Sequence, residues 1–153
     1  MESKIVGQLQ PLEYDEDFFE SEPYIIPYFK NKKLKIGFVE AKHEPYLSEA
    51  DKVLENFLNL TVEERIKDSQ LVFKYYDETL NFGYTEALDI KAVDEIWNFV
   101  YPNEIIINWD ENGDFYLCVS CGCEWEEEHG LQLVFKDGSA LSRVSGHDGQ
   151  FSD

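Results

Sequence analysis

Basic residues are scarce in this chain. Lysine and arginine together number 13 against 32 aspartates and glutamates, a formal charge of −19 over 153 residues. Binding to nucleic acid draws its free energy from cations that displace phosphate counterions, so DNA and RNA are excluded as main partners, and an anionic membrane is disfavoured on the same ground. No apolar stretch approaches the roughly 18 to 20 residues that cross a bilayer. The opening MESKIVGQLQPLEYDEDFF lacks the basic start and apolar core of a signal peptide. Cysteines are confined to Cys118, Cys121 and Cys123, too few and too close for the spaced framework of a small secreted protein. The expected localisation is therefore cytoplasmic, in a reduced bacterial cytosol. Also missing are the Walker loop, GxGxxG, GxSxG and HExxH, any internal repeat, any low-complexity tract and any linker rich in Pro, Gly or Ser.

Aromatic side chains, by contrast, are plentiful: 11 Phe, 9 Tyr and 3 Trp make up 15% of the chain, far above what a disordered segment carries. The length is that of one domain, residues 1–153, able to bury its own core. Residues 1–45 are expected to form strands over 5–12, 24–29 and 33–40, the last with Leu34, Ile36 and Phe38 alternating against Lys33, Lys35 and Gly37. Pro27 marks the middle one as an edge or a bulge, Asn31 and Lys32 form the following turn, and 14–22 is expected as an acidic-aromatic loop. Lys30, Lys32, Lys33 and Lys35 make the one basic cluster, and lysines on an edge hairpin guard against stray strand pairing.

Over residues 48–101 the period becomes helical. Ala50, Val53, Leu54, Phe57 and Leu58 share one apolar face, with Ser48 placed as an N-cap. Thr61 and Glu64 have the spacing of a capping box and predict a second helix at once. Its stripe is Val62, Ile66, Ser69, Phe73, Tyr76 and Leu80, widened by Leu71, Val72 and Tyr75, and Gly83 closes it. Ile90, Val93, Trp97 and Val100 predict a third helix over 89–101, with Pro102 as the stop.

Residues 104–146 return to strands and predict a four-stranded antiparallel meander. Two registers are open for the first hairpin. A two-residue turn at Asn112 and Gly113 would set Trp109 against Tyr116; a three-residue loop with Gly113 left-handed would set Trp109 against Phe115, Ile107 against Leu117 and Ile105 against Val119. The second gathers more apolar pairs on one face and is preferred. A further hairpin turns at Asp137 and Gly138. Strands, then grouped helices, then strands argue for an α+β fold, an antiparallel β-meander sheet with about three helices packed on one side.

The run CEWEEEHGLQLVF from Cys123 to Phe135, followed by Gly146, His147, Asp148 and Gly149, resembles a motif of small uncharacterised bacterial domains. These look like members of the group encoded near polymorphic toxins as immunity proteins. The resemblance is specific from Trp125 to Asp148; the helices agree only in pattern and the first 45 or so residues give no signal. It implies a non-enzymatic protein that inhibits a toxin by binding it, and it transfers no catalytic residues to this sequence.

Two acidic segments are the candidate contacts for a basic partner. One is the corner Glu124, Glu126, Glu127, Glu128 and His129, where Trp125 is expected to pack under the sheet edge and His129 with Gly130 to turn the chain. As a general acid–base site it would lack a nucleophile and oxyanion donors, so recognition is the preferred reading. The other is Asp15, Glu16, Asp17 and Glu20, whose neighbours Phe18 and Phe19 are either exposed anchors or part of the core. The alternative from another class is a small metal- or ligand-binding enzyme using Cys121, Cys123, His129, His147 and Asp148. Strand alternation argues against it: Cys118 falls on the face of Tyr116, while Cys121 and Cys123 share the other with Leu117, Val119 and Trp125. A three-histidine site would need His43, His129 and His147 to converge. No metal or cofactor is called for, and the cysteines are expected to serve as small hydrophobes. The glycines at Gly146 and Gly149 fit a pocket wall or an ordinary turn, and a purely structural subunit is the third reading.

Overall fold

The computed structural model describes residues 1–40, 45–83 and 85–152. In chain order the strands are β1 Glu2–Ser3, β2 Gly7–Gln8, β3 Gln10–Leu12, β4 Asp15–Glu20, β5 Tyr24–Ile26, β6 Lys32–Leu34 and β7 Ile36–Val39. Helices α1 Tyr46–Leu58 and α2 Val62–Asn81 and a 3-10 helix Val93–Phe99 follow, then β8 Val100–Trp109, β9 Phe115–Cys123, β10 Leu131–Lys136 and β11 Ala140–Ser145. The fold is α+β. Seven strands form the main sheet in the order β11-β10-β9-β8-β7-β4-β3, and two small two-stranded sheets flank it.

The four-stranded meander forms as the alternation predicts. β8 and β9 adopt the three-residue-loop register, with Trp109 opposite Phe115, Ile107 opposite Leu117 and Ile105 opposite Val119. Gly113 sits at φ 82°, and Asp110 and Asp114 close the loop through a 2.9 Å backbone bond. The meander is extended by a pairing the sequence does not announce: β7 runs parallel to β8, Ile36 against Ile105 and Phe38 against Ile107, so the sheet is mixed. Where that ladder ends, the buried Tyr46 hydroxyl bridges the two strands. It donates to Ile107 O at 2.6 Å and accepts from Val39 N at 3.0 Å.

Residues 14–22, expected as a loop, contain strand β4. It pairs with β7 through Phe18 opposite Val39 and Phe19 opposite Phe38, and alternation sends the two phenylalanines to opposite faces. Phe19 is buried in the core, while Phe18 lies over Gly37, where any Cβ would meet its ring at 2.3 Å. The expected 5–12 strand is broken into short pieces, with Gly7 left-handed at φ 80°. The expected 24–29 strand stops at Ile26, because Pro27 starts a 3-10 turn Pro27–Phe29. The 33–40 strand is divided between two sheets: β6 pairs with β5, and β7 joins the main sheet.

Both helices cover one face of the sheet, and the core between them contains Tyr28, Phe57 and Phe135, all fully buried. Phe57 and Phe135 stand 4.8 Å apart and Tyr28 meets Phe135 edge-on at 5.3 Å; each such ring stabilises the fold by about 1.5–3 kcal/mol through burial alone. The capping box of Thr61 and Glu64 is present at the start of α2. Ser48, by contrast, does not cap α1; its hydroxyl donates to Pro45 O at 2.9 Å inside a helix that begins at Tyr46. In α2 the buried residues are Ser69, Val72, Tyr76 and Thr79, whereas Ile66 and Leu71 are exposed. Ser69 belongs in that stripe because its small side chain admits Trp97, whose Nε1 donates to Ser69 Oγ at 2.9 Å and Arg65 O at 3.0 Å.

The third helix is a 3-10 helix of seven residues, shorter than the expected 89–101. Val100 already pairs with Cys123, so the chain must be extended there. Pro102 is consequently no stop signal. It is buried within β8 at a register shift, short of the stretch that pairs with β7, where its missing N–H leaves no ladder bond unmade.

Candidate partner-binding site

The acidic corner between β9 and β10 is a tight, locally bonded turn. Gly130 N donates to Glu126 O at 2.9 Å, and Gly130 takes φ 69° with Cys121 O only 2.7 Å from where a Cβ would stand. Glu126 Oε1 lies 3.2 Å from His129 Nδ1 and accepts from His129 N at 3.3 Å. Glu124 Oε2 accepts the Tyr101 hydroxyl at 2.6 Å, and that hydrogen bond raises the phenol pKa. Trp125 packs beneath the sheet edge as expected, 2% exposed against the rings of Tyr75 and Tyr76. Glu127, Glu128 and His129 are exposed.

The cysteines take the faces that alternation assigns. Cys121 and Cys123 lie in the helix-side core, and Cys118 pairs across from Val134 on the other face. Desolvation raises the pKa of all three thiols, Cys123 to about 11 and Cys118 to about 12, so they stand as neutral thiols near pH 7. The structure brings His129 and His147 together through the backbone, His147 N donating to His129 O at 3.3 Å, while their rings take separate partners: His147 Nε2 lies 3.0 Å from Ser120 Oγ and His129 Nδ1 faces Glu126. Asp148 is held by Arg143 at 2.8 and 3.0 Å, and hydrogen bonding to that guanidinium lowers its pKa to about 2. Gly146–Gly149 therefore belongs to a folded-back tail: Gln132 Nε2 donates to Gln150 O at 2.7 Å, and Phe151 stacks on Tyr116 at 5.1 Å. Among the described residues no three of His, Cys, Asp and Glu gather as a metal-ligand set. His43 lies outside the described residues.

The other end of the sheet holds a different arrangement. The β3–β4, β8–β9 and β10–β11 turns all emerge there, since Phe18 is level with Val39, Trp109 with Phe115 and Lys136 with Tyr116. These turns carry Glu13, Asp110, Glu111, Asp114 and Asp137, and no lysine or arginine. Between the β8–β9 and β10–β11 turns and the start of α1 opens a cleft of about 420 Å³, lined by Tyr46, Trp109 and Phe115 with Glu49, Asp114 and Asp137. Trp109, 41% exposed, stacks on Phe115 at 6.2 Å and meets Tyr46 at 6.3 Å, while its Nε1 donates to Glu40 Oε2 at 3.1 Å. No lysine or arginine is among the described residues lining it.

The two expected contact segments thus stand at opposite ends of the sheet. Glu20 is level with Cys118 through Gly37 and Ile106. Asp15 lies five residues toward the turn end and Glu124 six toward the other, roughly 35 Å apart along the strands. Asp15, Glu16 and Asp17 are exposed beside the acidic turns, whereas Glu20 is half-buried and 3.8 Å from Lys35. Tyr46, Trp109, Phe115 and Asp137 were not singled out as site residues by sequence reasoning. The available signal was the preferred register, which already paired Trp109 with Phe115 next to the acidic turn.

A family model for a domain of unknown function (DUF6985) matches residues 8–151, nearly the whole sheet and both helices. No curated protein and no solved structure matches the chain.

Proposed function

The chain belongs to the DUF6985 family, a domain of unknown function. We propose that it is a non-enzymatic binding protein of the immunity kind, which inhibits a basic toxin domain by covering it with an acidic surface. One observation carries this reading: carboxylates of two turns and of α1, Asp114, Asp137 and Glu49, line one cleft with the exposed Trp109 ring, at the end of the sheet where the acidic β3–β4 turn also emerges. Like charges repel, and their assembly costs folding free energy that a basic partner repays by neutralising them. Aromatic area supplies the buried contact while the charges steer approach and fix orientation. Asp15, Glu16 and Asp17 belong to this surface; Glu127, Glu128 and His129 at the far corner form a second, smaller acidic rim.

The test is co-expression with candidate basic toxic domains, together with isolation of any complex at rising ionic strength. Growth should be rescued, and the complex should weaken toward 1 M salt, where charges are screened beyond about 3 Å. Absence of rescue together with no complex at low salt would refute the proposal.

A further inference from the structure

The aromatic cleft at the turn end is more specific than a negative field requires. Its walls are three rings, of which Trp109 is the exposed one, and its rim is three carboxylates from three different segments: Asp114 beside the β8–β9 turn, Asp137 in the β10–β11 turn and Glu49 on α1, whose Oε1 is shared with Lys52 at 3.1 Å. We infer that this cleft seats a single arginine side chain of the basic partner, its guanidinium laid against the Trp109 indole and its N–H groups turned to the carboxylate rim. The inference rests on the binding reading above and names the group recognised.

The chemistry selects arginine in three ways. A guanidinium is planar and weakly hydrated, so it loses little on leaving water to lie on an aromatic face, where the ring quadrupole attracts it. Its donors are arranged as a fork that satisfies carboxylates on more than one side at once; an ammonium is a compact, strongly hydrated point charge that gains less from a flat ring. Finally, the Trp109 N–H is already taken by Glu40, a bond that fixes the indole and leaves its face, rather than its edge, as the recognition element. The volume of about 420 Å³ accommodates a side chain of this length with room for its backbone at the mouth.

The experiment uses the full chain and a capped Gly-Arg-Gly peptide, compared with its lysine and citrulline counterparts. Citrulline keeps the shape and removes the charge. The chain has three tryptophans, so its indole N–H groups give three NMR resonances. Trp97 and Trp125 are buried, at 6% and 2% exposed, so the cleft is read through Trp109. The arginine peptide should shift the Trp109 resonance saturably at millimolar concentration, with citrulline at least tenfold weaker and lysine weaker by several-fold. Trp109→Ala, which removes that reporter, should abolish the shifts the arginine peptide causes in the backbone amides of Gly113 and Asp114 at the cleft, and Asp114→Asn with Glu49→Gln should weaken the Trp109 response about tenfold with Trp97 and Trp125 unmoved. Equal responses to arginine and citrulline, or to arginine and lysine, would overturn the inference, as would a shift confined to Trp97 or Trp125. If the arginine peptide binds in this way but no basic protein is inhibited, the functional reading fails alone. If a basic partner binds and Trp109→Ala leaves its affinity unchanged, the arginine seat fails alone.

Discussion

Replacing Tyr46 with phenylalanine removes one oxygen and nothing else, and that oxygen joins the two halves of the sheet. The ring is 3% exposed and its hydroxyl carries two backbone groups, the Val39 N–H and the Ile107 carbonyl, at 3.0 and 2.6 Å. Ile107 is fully buried, so its carbonyl has no water to turn to, whereas Val39 is half-buried and is partly rescued by solvent. Each stranded buried group costs about 1–3 kcal/mol. With one full and one partial loss, Tyr46→Phe should destabilise the protein by about 2–3 kcal/mol, which for a domain of this size lowers Tm by roughly 6–9 °C. Urea unfolding measures the free energy, and amide exchange should show the Val39 N–H losing protection more than those of β9 and β10. A loss below about 0.5 kcal/mol with unchanged Val39 exchange would refute the claim that this hydroxyl joins β7 to β8.

Gly138→Ala should destabilise by more than about 3 kcal/mol, because φ 72° is strained for alanine and its Cβ would lie 2.1 Å from Val53 O; Gly113→Ala, equally left-handed but in open space, should cost only about 1 kcal/mol, and equal losses in urea unfolding would defeat the steric argument. The folded Asp148 carboxyl sits at about 2 against an ordinary 3.8, so its contribution is complete above pH 4 and is lost as pH falls through about 2. As its side chain is 38% exposed, Asp148→Asn should cost roughly 1 kcal/mol at pH 7 after screening is allowed for, and progressively less as pH falls through about 2; a loss independent of pH would show that charge is not the cause. The three thiols should resist Ellman's reagent at pH 7 in the folded protein and all react in denaturant, since burial raises their pKa values; a fast native thiol would refute the claim that burial keeps them inert. Reversing Asp110 and Glu111 to lysine should speed dissociation of a bound basic partner, while reversing Glu127 and Glu128 should mainly slow association at low salt, and stopped-flow kinetics separates the two.

Local signals transmitted faithfully to structure. The β8–β9 register followed from Gly113 and the count of loop residues, and the capping box from Thr61 and Glu64, because each depends on atoms a few residues apart. The β7–β8 pairing had no such signal: Ile36 and Ile105 are separated by both helices, and alternation identifies a strand without naming its neighbour. Strand β4 was hidden by its composition, since Asp15, Glu16 and Asp17 are poor strand formers, tolerated because that end of β4 projects beyond its pairing with β7. The third helix was over-extended because Ile90, Val93, Trp97 and Val100 satisfy a helical period that Val100 abandons to pair with Cys123.

The same limit explains which acidic patch looked strongest. Read along the chain, Glu124 to Glu128 is the densest run of charge, yet its spatial environment is a self-contained turn in which Glu124 and Glu126 already accept local hydrogen bonds. Read in space, the greater convergence belongs to carboxylates from segments that the sequence keeps far apart: strand direction brings Glu13, Asp114 and Asp137 to one end, and α1 sets Glu49 beside the last two. Charge density along a chain measures solvation, whereas charge density across a folded surface measures the field a partner meets. The aromatic rings sharpen the distinction, because Trp125 at the corner is sealed into the core while Trp109 at the turn end is 41% exposed. A surface that both attracts a cation and offers it an open ring has the two components that a desolvated contact requires; the turn end sets them in a cleft, whereas at the corner the exposed ring is Tyr101, whose hydroxyl already occupies Glu124.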